Sequence, residues 1–151
     1  MSRRAGLTEA YVWRVQMPAR QAALNVLLER FEAFARRQRM PTGLRRDVHL
    51  VLDEIVSNVV HANVKTRATR LGLELVLDQG SVTLEIIDNG KAFDPTMVQP
   101  ARGSILDRPV GGLGIQLVRG LMDTVSYTRQ HGSNHLVMTR AAARRRRGAR
   151  G

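Results

Sequence analysis

The chain has 151 residues, a length that suits one domain with a single core, and 43% of them are hydrophobic, which argues against wholesale disorder. It contains no cysteine, which excludes disulfides and thiolate metal sites, and no run approaches the roughly 18 apolar residues of a membrane span. The net charge is +11, with Arg144, Arg145, Arg146, Arg147 and Arg150 in the last stretch of the chain, so acidic or phosphate-rich partners are favoured.

In chain order, residues 11–17 (YVWRVQM) alternate as a strand does, and Pro18 ends the run. Over residues 19–39 apolar side chains recur at Leu24, Leu27, Leu28, Phe31 and Phe34, the spacing of a helix. MPTG at residues 40–43 breaks it, and Thr42 is placed to cap a second helix over residues 44–64. The apolar stripe of that helix is Leu44, Val48, Val51, Leu52, Ile55, Val59 and Ala62. Residues 70–77 and 81–87 read as a hairpin closed at Asp78, Gln79 and Gly80. Residues 96–110, with Pro100, Gly103 and Pro109, are polar, irregular and long for a connection. Residues 111–122 open with glycines and continue as a helix, and residues 123–130 and 135–140 form a second hairpin turning across HGSN. This order predicts an α+β fold, a two-layer α/β sandwich with a mostly antiparallel sheet and helices on one face.

Three stretches carry chemistry. In the second helix Glu54, Asn58 and His61 fall at i, i+4 and i+7, on one line at the margin of the apolar stripe. A carboxylate one turn before an amide brings two hard oxygens to one place, which suits magnesium or a general base near phosphate. Asp47 and Lys65 share that line, so taken alone it also fits a solvated helix flank. The second stretch is DNGKAFDP, residues 88–95, where a strand runs straight into more residues than a tight turn requires. The third is VGGLGIQLVRGLMD, residues 110–123. Its glycines allow a ligand to approach the main chain, and the helix start offers free N–H groups to phosphate. A plain glycine-rich turn before a helix would look the same. It is neither a Walker A loop nor a dinucleotide fingerprint.

DEIVSN, DNGKAFDP and GGLGIQLVRGLMDTVSYTRQHGSN stand in that order within residues 8–141. Together they resemble the N box, G1 box and G2 box of the GHKL ATP-binding superfamily, whose domain is the Bergerat fold. Within it they are most similar to the small stand-alone anti-sigma-factor serine/threonine kinases of bacteria. The resemblance implies that ATP and magnesium bind here. It makes Glu54 the general base on the acceptor hydroxyl and Asn58 the magnesium ligand. It makes Asp88 the acceptor of the adenine amino group, with Gly90 letting the base lie against the backbone. Gly112, Leu113 and Gly114 would meet the phosphates, and residues 96–110 would be the ATP lid. Phe93 and Pro95 either shape the start of that lid or belong to the core, and Asp94 is placed to cap a turn. His61 stands three residues after Asn58, where the family often has a polar residue at four, so it either touches phosphate or is a surface histidine. Asp53 points away round the helix, which leaves the base role to Glu54. The basic segment 142–151 lies outside the pattern and reads as a solvated appendage.

The resemblance therefore implies an Mg·ATP-dependent serine/threonine protein kinase that acts as an anti-sigma regulatory factor. Its partners would be a sigma factor and a STAS-type anti-anti-sigma protein, the latter as substrate, and its expected form is a cytoplasmic homodimer without membrane contact. The alternative is an ATP-gated protein-binding regulatory module without kinase activity, in which Glu54 does no chemistry. A detached histidine-kinase catalytic domain would need a dimerising helical hairpin with a target histidine, whereas the residues before DEIVSN supply a strand and a helix of the sandwich. Nucleic acid is a poor fit to 4% aromatic residues and no stacking motif.

Overall fold

The computed structural model describes residues 9–66, 69–97 and 112–142, with residues 112 and 113 as backbone only. Strands β1 (Tyr11–Pro18), β2 (Arg70–Asp78), β3 (Ser81–Asp88), β4 (Thr124–Gln130) and β5 (Ser133–Arg140) form one sheet in the order β1-β2-β3-β5-β4. Every pairing is antiparallel. Helices α1 (Gln21–Arg37), α2 (Thr42–Ala62) and α3 (Gly112–Leu121) complete the two layers.

The strands show why only one face is covered. Leu71, Leu73, Leu75 and Leu77 of β2 are buried, as are Val82, Leu84 and Ile86 of β3 and Leu136 and Met138 of β5, while the intervening residues are more exposed. That period of two aims one set of side chains at the helices. Leu24, Leu27 and Phe31 of α1 and Val48, Val51, Leu52 and Ile55 of α2 meet them in a single core. Trp13 of β1 stacks against Phe34 of α1, ring centroids 5.7 Å apart, and closes that end. β3 lies at the centre of the sheet, and the chain leaves it for α3 before returning as β4 at the edge.

Three local expectations differ from the structure. α1 begins at Gln21 rather than 19, because Arg20 holds the cap position in an extended conformation (φ −134°, ψ 151°); the Ala19 N–H before it donates to the Thr69 carbonyl, 3.0 Å away. Thr42 does not cap α2: Pro41 holds the cap position at φ −53°, Thr42 is already helical, and no side chain caps the end. The proline ring fixes the entry angle without help from a hydroxyl. Third, the second hairpin turns on two residues, His131 and Gly132, not across HGSN. Both have positive φ, 49° and 77°, as do Gln79 and Gly80 (49° and 80°) in the first hairpin. Such turns match the twist of the flanking strands, so pairing starts at once. Ser133 and Asn134 therefore belong to β5.

The expected lid lies outside the described residues from 98 to 110; its first two residues, Thr96 and Met97, belong to a single 3₁₀ turn, Pro95–Met97. The basic segment beyond Ala142 and the expected domain start at residue 8 also lie outside. Among the described residues no helix is long and apolar enough to cross a membrane.

Candidate functional site

A cleft opens where the C-terminal half of α2 faces the end of β3 and the start of β5. Counting the solvent-open space at its mouth, it spans about 460 Å³. Ile55 and Val59 of α2, Ile86 of β3 and Leu136 of β5 give it apolar walls, and Asn58, Asn63, Asp88, Lys91, Tyr127 and Asn134 are the polar residues among them. Apolar walls with convergent polar groups suit a ligand that must be oriented as well as buried.

Asp88, the last residue of β3, is only 6% exposed. Its Oδ1 accepts two hydrogen bonds, from the Gly90 N–H at 2.9 Å and from the Asn134 side-chain amide at 3.0 Å. Among the described residues Oδ2 accepts none, which leaves it to a ligand. Asn134 sits directly across from Asp88 in the sheet register, and Arg129 directly across from Asn134. Besides Asp88, the Asn134 amide nitrogen donates to the Lys91 carbonyl at 2.9 Å. Its Oδ1 accepts from the Tyr127 hydroxyl at 2.5 Å and from the Arg129 guanidinium at 2.9 Å. Asn134 is the site residue that sequence reasoning missed. The signal was present: an Xaa-Gly pair able to turn alone would have placed it opposite Arg129 rather than in a loop.

The line on α2 divides. Asn58 lines the cleft, and its buried Nδ2 has no hydrogen-bond partner among the described residues. A buried donor in that state is costly, and an oxygen-rich ligand at this position would satisfy it. Glu54, one turn earlier, is absent from the cleft wall and leans on α3: a β-carbon built on Gly114 would overlap its Oε2. His61 is exposed, with Nδ1 2.8 Å from the Ser57 carbonyl of its own helix. Asp47, on the same line, is buried and paired with Arg140 of β5 rather than solvated.

Gly90 packs against the Asn63 amide: a β-carbon there would lie 2.6 Å from both its nitrogen and its oxygen. That amide is itself fixed, donating to the Val59 carbonyl at 2.8 Å and accepting from the Lys91 N–H at 3.2 Å. Gly112 and Leu113 are the first two residues of α3, whose opening N–H groups have no intrahelical acceptors. Phe93 is 46% exposed and lines the cleft rather than the core, and Pro95 beside it is buried. Asp94 caps the 3₁₀ turn, its Oδ1 accepting from the Thr96 N–H at 2.8 Å and hydroxyl at 2.6 Å. The Arg119 guanidinium donates to the Thr96 carbonyl and ties α3 to that turn.

The residues fit a purine nucleotide on three counts: the open Oδ2 of Asp88, the unpartnered Asn58 amide, and the glycine-led start of α3 within reach of α2. Among the described residues no group of three His, Asp or Glu side chains could hold a metal unaided. A magnesium held at Asn58 would therefore draw further ligands from phosphate and water.

The model of the histidine kinase-like ATPase domain family matches residues 17–140. Over 115 residues the chain is 37% identical to the serine/threonine-protein kinase BtrW of Bordetella bronchiseptica, covering 74% of this chain and 81% of that protein. Its fold is similar to that in the crystal structure of the SiaB-SiaC complex from Pseudomonas aeruginosa, with a TM-score of 0.66 at 10% identity, over 84% of this chain and 88% of the other. It is also similar to the structure of the RsbU and RsbW domains of Rv1364c from Mycobacterium tuberculosis, with a TM-score of 0.58 at 14% identity. That match takes in 87% of this chain but only 34% of the longer one. At these identities the two structures speak to the fold alone.

Proposed function

The chain belongs to the histidine kinase-like ATPase domain family, and from that premise we propose that it is an Mg·ATP-dependent serine/threonine protein kinase acting as an anti-sigma regulatory factor. Its substrate would be a serine on a STAS-type antagonist protein, and its second partner a sigma factor, held by a homodimer. The observation that carries the reading is the buried, unpartnered Asn58 amide one helical turn from Glu54, whose carboxylate rests on the first turn of α3. The 37% identity to a serine/threonine kinase supports the same reaction.

Each part then has a task. Asp88 Oδ2 accepts a hydrogen bond from the base, while the apolar walls exclude water from the ring. Asn58 offers its amide oxygen to a metal and its amide nitrogen to phosphate. The N–H groups opening α3 favour negative charge by direct donation and by the helix dipole. Bound Mg·ATP would supply the transferable phosphoryl group and the positive charge that offsets its oxygens. Glu54 takes the proton from the attacking serine hydroxyl, so the base is ionised before transfer and protonated after it. Phosphoryl transfer asks the protein mainly for positioning and charge compensation, and these residues suffice for that.

One observation favours a second reading. Glu54 leans on Gly114 instead of lining the cleft, as it could in an ATP-gated protein-binding module where it does no chemistry. Glu54→Gln separates the two. A kinase loses transfer and still binds ATP; a module keeps its partner regulation intact. Transfer is tested with γ-labelled ATP and STAS-type proteins encoded near this gene, with the labelled residue located by mass spectrometry. Absence of a labelled serine on every such protein would sink the kinase reading.

A further inference from the structure

We propose that the end of the molecule remote from the cleft, where α1 turns into α2, is a binding surface for the phosphate backbone of a double-stranded nucleic acid, with Arg36, Arg37, Arg39 and Arg46 as its cations. The cleft takes the C-terminal half of α2 and the end of β3. This surface lies at the other end of α2, a helix of 21 residues and so about 30 Å long. It therefore goes beyond the nucleotide site and does not rest on it.

Three arginines at this turn stand where local stability favours other residues. α1 closes with the Met40 N–H donating to the Ala35 carbonyl at 2.8 Å and the Arg39 N–H to the Arg36 carbonyl at 3.0 Å. The residue after the cap in such a turn is left-handed, and glycine is usual there because it has no β-carbon to clash. Arg39 holds that position at φ 52°. α2 then opens with no carboxylate in its first turn and no side-chain cap. Arg45, whose N–H closes that turn on the Pro41 carbonyl at 2.9 Å, and Arg46 follow instead. The start of a helix carries positive partial charge, which favours anions over cations. Residues kept against local fit mark functional positions.

The charge is not neutralised within the fold. Arg36, Arg37 and Arg39 are exposed and form no ion pair among the described residues. Arg46 lies 3.4 Å from Asp47, but Asp47 is also paired with Arg140 of β5. Glu32 likewise serves both Arg45 at 3.5 Å and His49 at 2.8 Å. Asp78 and Asp123 also lie at this end, and Asp123 accepts from the Ala141 N–H at 2.7 Å. Ala142 is held here too, its N–H donating to the Ser81 hydroxyl at 3.0 Å. The sequence beyond it adds Arg144, Arg145, Arg146 and Arg147, none of which can be more than about 18 Å from Ala142 along the chain.

The kind of partner follows from what this surface lacks. Met40 and Leu44 are buried, so the turn offers cations without an apolar anchor. Protein interfaces are built around apolar and aromatic anchors. A duplex backbone needs only charge and placed donors, at about one negative charge per 1.7 Å of axis, and a guanidinium meets phosphate with two parallel N–H groups. The bases of a duplex are already stacked on each other, so the low aromatic content that disfavours single strands does not weigh against it. Contacts of this kind read no sequence.

The experiment follows fluorescence anisotropy of a labelled DNA duplex of about 30 base pairs titrated with the full chain, from about 50 to 200 mM salt. Each variant is also melted and titrated with Mg·ATP. R36Q/R37Q/R39Q/R46Q removes the proposed cations; R14Q/R20Q/K65Q/R70Q removes the same charge at exposed positions elsewhere. The wild type is expected to bind duplexes of unrelated sequence alike. The first variant is expected to bind at least about tenfold more weakly, with the slope of log K against log salt shallower by about three to four, and to keep its Mg·ATP Kd. The second is expected to change the slope by less than half as much. Arg39→Gly is expected to melt a few degrees higher, since it relieves the left-handed residue, and yet to bind duplex more weakly, a pairing that a structural role for Arg39 would not produce. Should the fourfold variant not fold, Arg39→Gly and Arg46→Gln decide: weaker binding supports the proposal and wild-type binding overturns it. Equal losses in the two fourfold variants would mean that net charge alone binds, which overturns it, as does a wild type that binds no duplex at the lowest salt. Poly-glutamate or anionic lipid vesicles that bind more tightly than the duplex through the same arginines would assign the surface to an acidic protein or a membrane and overturn it as well.

Discussion

Gly114→Ala isolates the contact that joins the polar line of α2 to α3. A β-carbon at this position would overlap the Glu54 Oε2, the far end of a flexible side chain, so Glu54 has to turn away. Holding it off its preferred rotamer costs about 0.5–1.5 kcal/mol. Alanine in place of glycine inside a helix returns about 0.5–1 kcal/mol. These terms oppose each other, so the net change is within about 1 kcal/mol, or roughly 2–4 °C in Tm for a chain of this size. Catalysis has no such compensation: if Glu54 is the general base, displacing it costs about 10²–10⁴-fold in transfer. The assay is steady-state phosphorylation of the antagonist protein, with Tm from circular dichroism and the Mg·ATP Kd measured on the same samples. The expected pattern is a nearly unchanged Tm and, at saturating Mg·ATP, at least about 100-fold slower transfer, whatever change the Kd shows. Wild-type transfer would refute the placement of Glu54 as base. A Tm lower by more than roughly 10 °C would refute the claim that one flexible side chain is all that opposes the new carbon.

Two further substitutions probe the frame of the site. Phe31→Ala removes a fully buried ring that packs on Trp13 with centroids 5.9 Å apart, and should cost about 3–5 kcal/mol in urea unfolding. Trp13 is the chain's single tryptophan, so its emission should also change in the folded variant; an unchanged midpoint and spectrum would contradict the core described. Gly90→Ala drives a carbon to 2.6 Å from the Asn63 amide, whose bonds to Val59 and Lys91 oppose any retreat. It should lower stability by about 1–3 kcal/mol and weaken Mg·ATP binding, whereas a variant that melts with wild type would mean that Asn63 yields freely.

Much of the frame was legible because two periods rarely compete. The i, i+3, i+4 recurrence from Leu24 to Phe34 fits only a helix, and the alternation through LGLELVLD fits only a strand with one covered face. The order of the elements then left few topologies, and the α+β sandwich followed. For the site, the sequence singled out Asn58 and Asp88, which the fold brings to one cleft. The partner of each glycine was not legible. Spacing marks Gly90 and Gly114 as places where a side chain is missing, but only packing shows that Asn63 and Glu54 fill the space. Asn134 was hidden for a different reason. A histidine at φ 49° is an uncommon conformation for a residue with a β-carbon, so HGSN reads as a four-residue loop and the register of β5 is lost with it. Asp47 looked solvated by its place on the helix, since nothing in α2 announces that Arg140, at the far end of the chain, returns to pair with it.

The most direct test of the account is calorimetric titration of Mg·ATP into the wild-type chain and into Asp88→Ala. Saturable one-site binding is expected for the wild type and none measurable for the variant, with both proteins melting as folded domains. Binding to both with equal affinity would place the nucleotide elsewhere, and binding to neither, with magnesium in excess, would contradict the claim that this cleft is a nucleotide site.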